Sequence, residues 1–225
     1  ESVAKPKAIV VISAHWETRG TFVTAMEKPR TIHDFYGFPQ ALFGVQYPAN
    51  GSLETAGLIA KNANGNLIAF DENWGLDHGA WSVLVHMFSN ADVPVLQLSL
   101  DYNRSPKGHF ELAKTLAFLR ARGVLIIGSG NIVHNLRLVN FRNKSGDDWA
   151  MEANEIFKNI IASGRYDELF EYEKLGREAA MAVPTAEHFL PLLYALALRK
   201  ENEEIRIFND AVELGSISMT SLKIG

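Results

Sequence analysis

Seven histidines and no cysteine set the range of chemistry open to this chain. Imidazole is the side chain best suited to proton transfer near neutral pH and the commonest metal ligand. His15, His33, His78, His134 and His188 fall at the ends of predicted strands, in glycine-bearing loops or at a predicted helix start. His86 falls inside a predicted helix and His109 at the start of one, which suits structural or surface roles. Without a thiolate, a metal site must use nitrogen and oxygen ligands, a set that suits Zn²⁺ or non-haem Fe²⁺. Neither HExxH nor HxH occurs. Spacing alone therefore leaves two readings open: a metal site with His15 and His188 as leading ligands, or a group of satisfied structural histidines.

The elements that must position these rings follow from the apolar pattern. Residues 124–127 (VLII) are apolar and too few for an ordinary helix, so they suit a strand buried on both faces. The GSGN that follows breaks the strand and delivers His134 just past its carboxyl end, where α/β folds bind ligands. Residues 8–14 (AIVVISA) form a second such run with His15 at its end, and 93–100 (VPVLQLSL) a third, weakened at its start by Pro94. Shorter strands are predicted at 21–25, 66–70, 205–208 and 216–224. Helices are predicted at 53–61 with Ser52 as N-cap, 81–88 just after His78, 106–122, 149–163, 165–175 and 186–198. Glu187 and His188 open the last of these, and Pro191 marks either a kink or its true first turn. The aromatic segment 31–43 (TIHDFYGFPQALF) reads equally as a pocket wall or as a satellite of the core.

Strands and helices alternate without a linker or repeat. The expected fold is α/β, a single domain over 1–225 with a mixed central sheet flanked by helices on both faces. The runs at 8–14, 95–100 and 124–127 are expected in one sheet.

At 225 residues with 47% hydrophobic and 21% charged, the composition is that of an ordinary globular chain. A net charge of −4 provides no basic footprint for nucleic acid or an anionic membrane. The missing cysteines exclude disulfides, thiolate sites and cysteine nucleophiles. No run approaches the roughly 18 apolar residues of a membrane span. No signal peptide is visible, and a cytoplasmic location is the expectation.

Five blocks occur together in this order: SAHW (13–16), TIHDFYGFPQAL (31–42), WGLDHGAWSVL (74–84), SGNIVHNLR (129–137) and PTAEHFLPLLY (184–194). In this the chain closely resembles the DOPA 4,5-dioxygenase-like proteins of the class III extradiol ring-cleaving dioxygenases, over nearly its whole length. The resemblance implies a mixed sheet with helices on both sides. It implies a divalent metal held by His15 and His188, with His134 at the same centre. His134 is an acid–base group in distant relatives and approaches the metal as a ligand in zinc-bound members. The resemblance also implies His78 as the second acid–base histidine and His33 as a residue facing substrate. Fe(II) is the metal expected for activity, with Zn(II) a possible occupant of purified protein. The substrates are then a small catechol and O₂, with neither nucleic acid nor membrane as partner and a monomer or homodimer as the assembly. The family carries one more metal-binding histidine in an HGSP block. No HGSP occurs here: either a segment preceding Glu1 carries it, which is the expectation, or the ligand is lost.

Glu187 beside His188 raises the two-histidine, one-carboxylate ligand set of many non-haem iron sites. Adjacent residues at a helix start point about 100° apart, which favours His188 as the ligand and turns Glu187 away. Two other functions compete with ring cleavage: a non-enzymatic metal-binding or interaction module on the same fold, and a metal-dependent hydrolase using His134 as base.

Overall fold

The first apolar run becomes a strand longer than the run itself. In the computed structural model, which describes residues 5–225, β1 spans Ala8–Thr18. It is buried continuously from Ala8 to Ala14, as a central strand covered on both faces must be. Both neighbours, β4 (Val95–Asp101) and β5 (Val124–Ser129), pair with it in parallel. The register with β4 runs from Ile9 to Ile12 and resumes, shifted, at Glu17. His15 therefore lies in an irregularity inside the strand and not beyond its end. Such irregularities re-aim side chains and are common beside functional sites.

Two short strands, β2 (Thr21–Thr24) and β3 (Ile68–Asp71), complete a five-stranded sheet of order β3-β2-β4-β1-β5. β2 meets β4 antiparallel while the other pairs are parallel, so the sheet is mixed. The three apolar runs share this sheet, as predicted. Helices flank it. α1 (Gln40–Phe43) is a single short turn. α2 (Leu53–Lys61) starts where the sequence indicates, with Ser52 Oγ accepting the Thr55 N–H. α3 (His78–Met87) packs against β1. Its inner face joins a core that includes Val11, Tyr47, Leu76, Trp81, Leu84 and Val95. The helix predicted at 106–122 is broken into α4 (Pro106–Lys114) and α5 (Ala117–Ala121). At the break, the Thr115 hydroxyl donates to the Leu112 carbonyl, a local bond that competes with the helical ladder.

The described residues gather into two compact units: the chain up to Asn103 with Leu112–Ser129, and Arg104–Glu111 with Gly130–Gly225. The five-stranded sheet belongs to the first. The second is mainly helical, with α6 (Asp148–Ser163), a 3₁₀ segment (Tyr166–Lys174), α7 (Arg177–Ala182) and α8 (Leu190–Ala197). Phe189 lies 5.0 Å from Phe157 and 5.2 Å from Tyr172, ring to ring, in its core. The predicted α-helix at 165–175 is this 3₁₀ segment, interrupted at Glu171, whose φ is −121°. The helix predicted from residue 186 begins only at Leu190, because Pro191 occupies its first turn. β6 (Ile205–Phe208) pairs antiparallel with β9 (Ser221–Ile224), and β7 (Val212–Glu213) with β8 (Ile217–Ser218), apart from the central sheet. His109 is fully buried with Nδ1 2.9 Å from the Tyr194 hydroxyl, the structural role its position suggested. No helix among the described residues is long and apolar enough to cross a membrane.

Candidate active site

The DHG segment sets up the first histidine cluster. Asp77 is the N-cap of α3, and its Oδ1 accepts the Ala80 N–H at 3.1 Å and the Ser13 hydroxyl at 2.8 Å. Its Oδ2 accepts the Gln97 amide at 2.7 Å, and its backbone N–H donates to Gln97 Oε1 at 2.8 Å. A fully buried carboxylate requires such partners, and here they tie the start of α3 to β1 and β4. Gly79 makes the approach possible: a Cβ there would lie 2.4 Å from Ser13 Oγ and 2.9 Å from His15 Cδ2. His78 consequently emerges beside His15, with ring centroids 3.9 Å apart.

Asp34 joins this pair. Its Oδ1 accepts the His78 backbone N–H at 2.8 Å. Its Oδ2 lies 2.9 Å from His78 Nδ1 and 3.8 Å from His15 Nδ1. The short Nδ1–Oδ2 approach is off the line of a hydrogen bond, so it is an electrostatic contact whose angle is unfulfilled. Burial pushes the Asp34 carboxyl up, but the His78 ring and backbone N–H outweigh it and hold it below the usual carboxylate range. Donor atoms of His15, Asp34 and His78 all lie within 4.8 Å of one another.

His78 also lines a pocket of about 460 Å³ together with Phe35, Phe38, Leu42, Val45, Trp81, Ser82, Val85 and His86. The aromatic 31–43 segment thus supplies one wall and α3 the other. His33 is not among the lining residues. Its Nε2–H donates to the Val45 carbonyl at 2.9 Å, and its ring packs 6.0 Å from Phe35 and 5.7 Å from Trp81.

The second cluster belongs to the second unit. His134 and His188 stack with centroids 3.4 Å apart and planes 7° apart. The His134 N–H donates to the Ala182 carbonyl, which fixes the loop that carries it. Gly130 lets this loop meet the turn before α8: a Cβ there would lie 2.2 Å from the His188 carbonyl oxygen. The Asn131 N–H donates to that same carbonyl at 2.9 Å. The Asn131 side chain sets the His188 tautomer. Its amide nitrogen donates to the Ser218 carbonyl at 2.7 Å, so its oxygen must be the atom facing His188 Nδ1 at 3.2 Å. Nδ1 then carries the hydrogen and Nε2 the lone pair, the arrangement a histidine ligand needs.

Glu187 completes this cluster, with donor atoms of His134, Glu187 and His188 within 4.8 Å of one another. The 100° separation expected from helical geometry does not apply, since both residues precede α8. Thr185 donates to Glu187 Oε1 at 2.8 Å. Imidazole nitrogens and carboxylate oxygens are the donor chemistry of a Zn²⁺ or non-haem Fe²⁺ site, and both clusters provide it. The structure thus sets His15 beside His78 and His134 beside His188. Asp34 and Asn131 were missed as partners, although HDF and SGN were both in view. Nothing local in the sequence shows which distant ring a short polar side chain will face.

Residues 2–218 match the family model described as the catalytic LigB subunit of aromatic ring-opening dioxygenase. A 4,5-DOPA dioxygenase extradiol of Escherichia coli (strain K12) is 45% identical over all of this chain and 84% of its own length. One from Beta vulgaris is 37% identical over 97% of this chain and 83% of its own. The crystal structure of an uncharacterised Escherichia coli K12 protein superposes with a TM-score of 0.86 at 39% identity, covering 99% of this chain and 88% of that one. These matches make the chain an extradiol ring-cleaving dioxygenase, and neither an interaction module nor a hydrolase is favoured. Family model, relatives and fold agree, and the chain belongs to the LigB family of aromatic ring-opening dioxygenases.

Proposed function

We propose that residues 1–225 act as one catalytic domain that opens the ring of a catechol, DOPA or a close analogue, with O₂. His15 and His188 bind one divalent metal, Fe(II) in the active enzyme, with His134 at or beside the same centre. Fe(II), when bound, supplies the redox chemistry that lets O₂ react with a catechol, which Zn(II) cannot. The observation that carries the reading is the orientation of His188, whose Nε2 lone pair is set by Asn131 within a cluster of nitrogen and oxygen donors.

The chain's own groups handle binding and protons. Phe35 and Trp81 line the pocket, and the His33 ring packs against both. His78 lines the same pocket with Nδ1 toward Asp34, which leaves Nε2 to take a proton from a catechol hydroxyl. His134 returns a proton to oxygen as the ring opens. The net reaction adds both oxygen atoms, one ending as aldehyde and the other in a carboxylate. Phe38, Leu42 and Val45 give the pocket an apolar wall.

The test is anaerobic loading with Fe(II), then addition of DOPA or 4-methylcatechol and admission of air. A yellow ring-opened semialdehyde, 32 mass units above its catechol, is expected. Loaded protein that leaves every catechol intact contradicts the proposal.

A further inference from the structure

Two polar side chains, Gln97 and Ser99, interrupt the apolar run of β4, and both are fully buried. Ser99 stays within the sheet, with its hydroxyl 2.6 Å from that of Thr18 and accepting the Phe22 N–H at 2.8 Å. Gln97 instead reaches the start of α3 and closes on Asp77 at two points, Nε2 on the carboxylate and Oε1 on the backbone N–H. Only one orientation of the amide serves both, since the reverse sets donor against donor and oxygen against oxygen. Its own backbone is fixed by pairing with Val11 of β1 and by donation to the Thr24 hydroxyl of β2 at 2.9 Å. An aliphatic residue of similar volume would fill the site without the desolvation that this amide suffers. What the amide adds is a fixed place for Asp77.

Two lines leave Asp77. One is the cap on α3, whose first residue is His78. The other runs through Ser13, whose hydroxyl donates to Asp77 at 2.8 Å and accepts the His15 backbone N–H at 3.2 Å. The pairing of β1 with β4 lapses between Ile12 and Glu17. That ladder therefore does not hold the backbone at His15, and the bond to Ser13 takes its place. We propose, on the roles given above to His15 and His78, that Gln97 is a positioning residue. Acting through Asp77, this one buried amide sets the metal ligand and the proton carrier in fixed relation, so metal affinity and turnover depend on it together.

Gln97→Met removes both bonds at similar volume. Gln97→Glu keeps the shape but sets a second carboxylate against a buried one. Asp77→Asn combined with Gln97→Glu exchanges the two groups. The amide now at position 77 donates to the carboxylate at 97, which still accepts the backbone N–H of 77, and the oxygen left at 77 still accepts from Ser13 and Ala80. Chelator competition on metal-stripped protein measures affinity for Fe(II), with Tm, kcat and KM taken on the same preparations. Each single variant should bind metal about tenfold more weakly and, when loaded, lose about tenfold in kcat with KM little changed. The exchanged pair should recover most of both losses. A lower Tm with wild-type metal affinity and kcat on the folded fraction overturns the positioning role, as does an exchanged pair no better than Gln97→Glu. Ser13→Ala, which cuts only the line to His15, should also weaken metal binding, and unchanged affinity there overturns the role whether or not the Gln97 variants fold. Wild-type protein that leaves every catechol intact, while the variants still show the metal pattern, removes the dioxygenase reading and leaves His15 positioned by Gln97. Turnover with no change of metal affinity or kcat in the variants removes the positioning role and leaves the dioxygenase.

Discussion

Asp34 holds His78 at two points, accepting its backbone N–H at 2.8 Å with one oxygen and lying 2.9 Å from its ring Nδ1 with the other. A two-point contact fixes both where the histidine leaves the chain and how its ring is turned. Asp34 is a positioning residue in this arrangement, since it acts through His78. Asp34→Asn should lower kcat about tenfold or more, a part of the 10²–10⁴ that a placed proton carrier contributes, with KM nearly unchanged. A purely structural role predicts instead a lower Tm with kcat retained on the folded fraction.

His78→Ala and His134→Ala should each reduce kcat for catechol cleavage by about 10² or more if proton transfer limits the rate. Metal content measured on the same samples separates the two cases: His78→Ala keeps its metal, whereas His134→Ala loses some of it. Near-normal kcat in either variant on fully loaded protein would rule out the two-histidine mechanism.

Metal content should fall sharply in His15→Ala and His188→Ala. Asn131→Ala leaves His188 in place but frees its tautomer, and should weaken metal binding about 10–100-fold. Competition with a chromophoric chelator measures both effects. Unchanged stoichiometry in both histidine variants contradicts the ligand assignment.

Gly130→Ala places a methyl group where the His188 carbonyl oxygen is 2.2 Å away. Backbone must move at the turn carrying His188, at a cost of about 1–3 kcal/mol. The expected signature is a lower Tm together with weaker metal binding. A variant with normal values of both would show that the loop and the turn are looser than their contact implies.

Away from the site, Lys158 pairs with Asp210 and, at 2.6 Å, with Glu155. The hydrogen bond from Lys158 pulls the Asp210 carboxyl below its ordinary 3.8, outweighing burial, with Asn154 and Thr220 assisting. Burial pulls Lys158 down, but Asp210 and Glu155 outweigh it and lift it above 10.5. A depressed carboxylate stabilises the fold above its unfolded pKa and loses that contribution as pH falls through its folded one. A raised lysine stabilises below its unfolded pKa and loses it as pH rises through its folded one. The pair therefore contributes between roughly pH 4 and pH 10. Asp210→Asn should cost below about 1 kcal/mol at neutral pH, because the pair is partly exposed and screened. It should also flatten the acid limb of urea-melt stability below pH 4.

The sequence disclosed most of the central sheet because its strands are uninterrupted apolar runs, a pattern set by burial on both faces. Boundaries failed where a single polar side chain intervenes, as Thr115 does in the 106–122 helix, or where a proline moves the true start, as Pro191 does for α8. The irregularity at His15 was invisible because an alternation pattern does not register one shifted pairing inside a buried strand. Among the chemistry-bearing residues, the histidines were legible by type and placement. Asp34 and Asn131 were not, since their value comes from rings far along the chain that only folding brings near.

The pocket at His78 has one fixed jaw and one movable one. The α3 side is anchored through Asp77 to both β1 and β4, so the amide of Ala80 should exchange with solvent only when the whole unit opens. The facing side, with Phe38 56% and Leu42 36% exposed, rides on or beside α1, a helix with no buried residue and no side-chain cap. Amides there should exchange through small local fluctuations. Entry of substrate and departure of the elongated product then fall to the α1 side, while the proton-handling side stays still. Widening the enzyme's range to bulkier catechols is accordingly a matter of changing residues 36–42, where the chain can yield without disturbing His78.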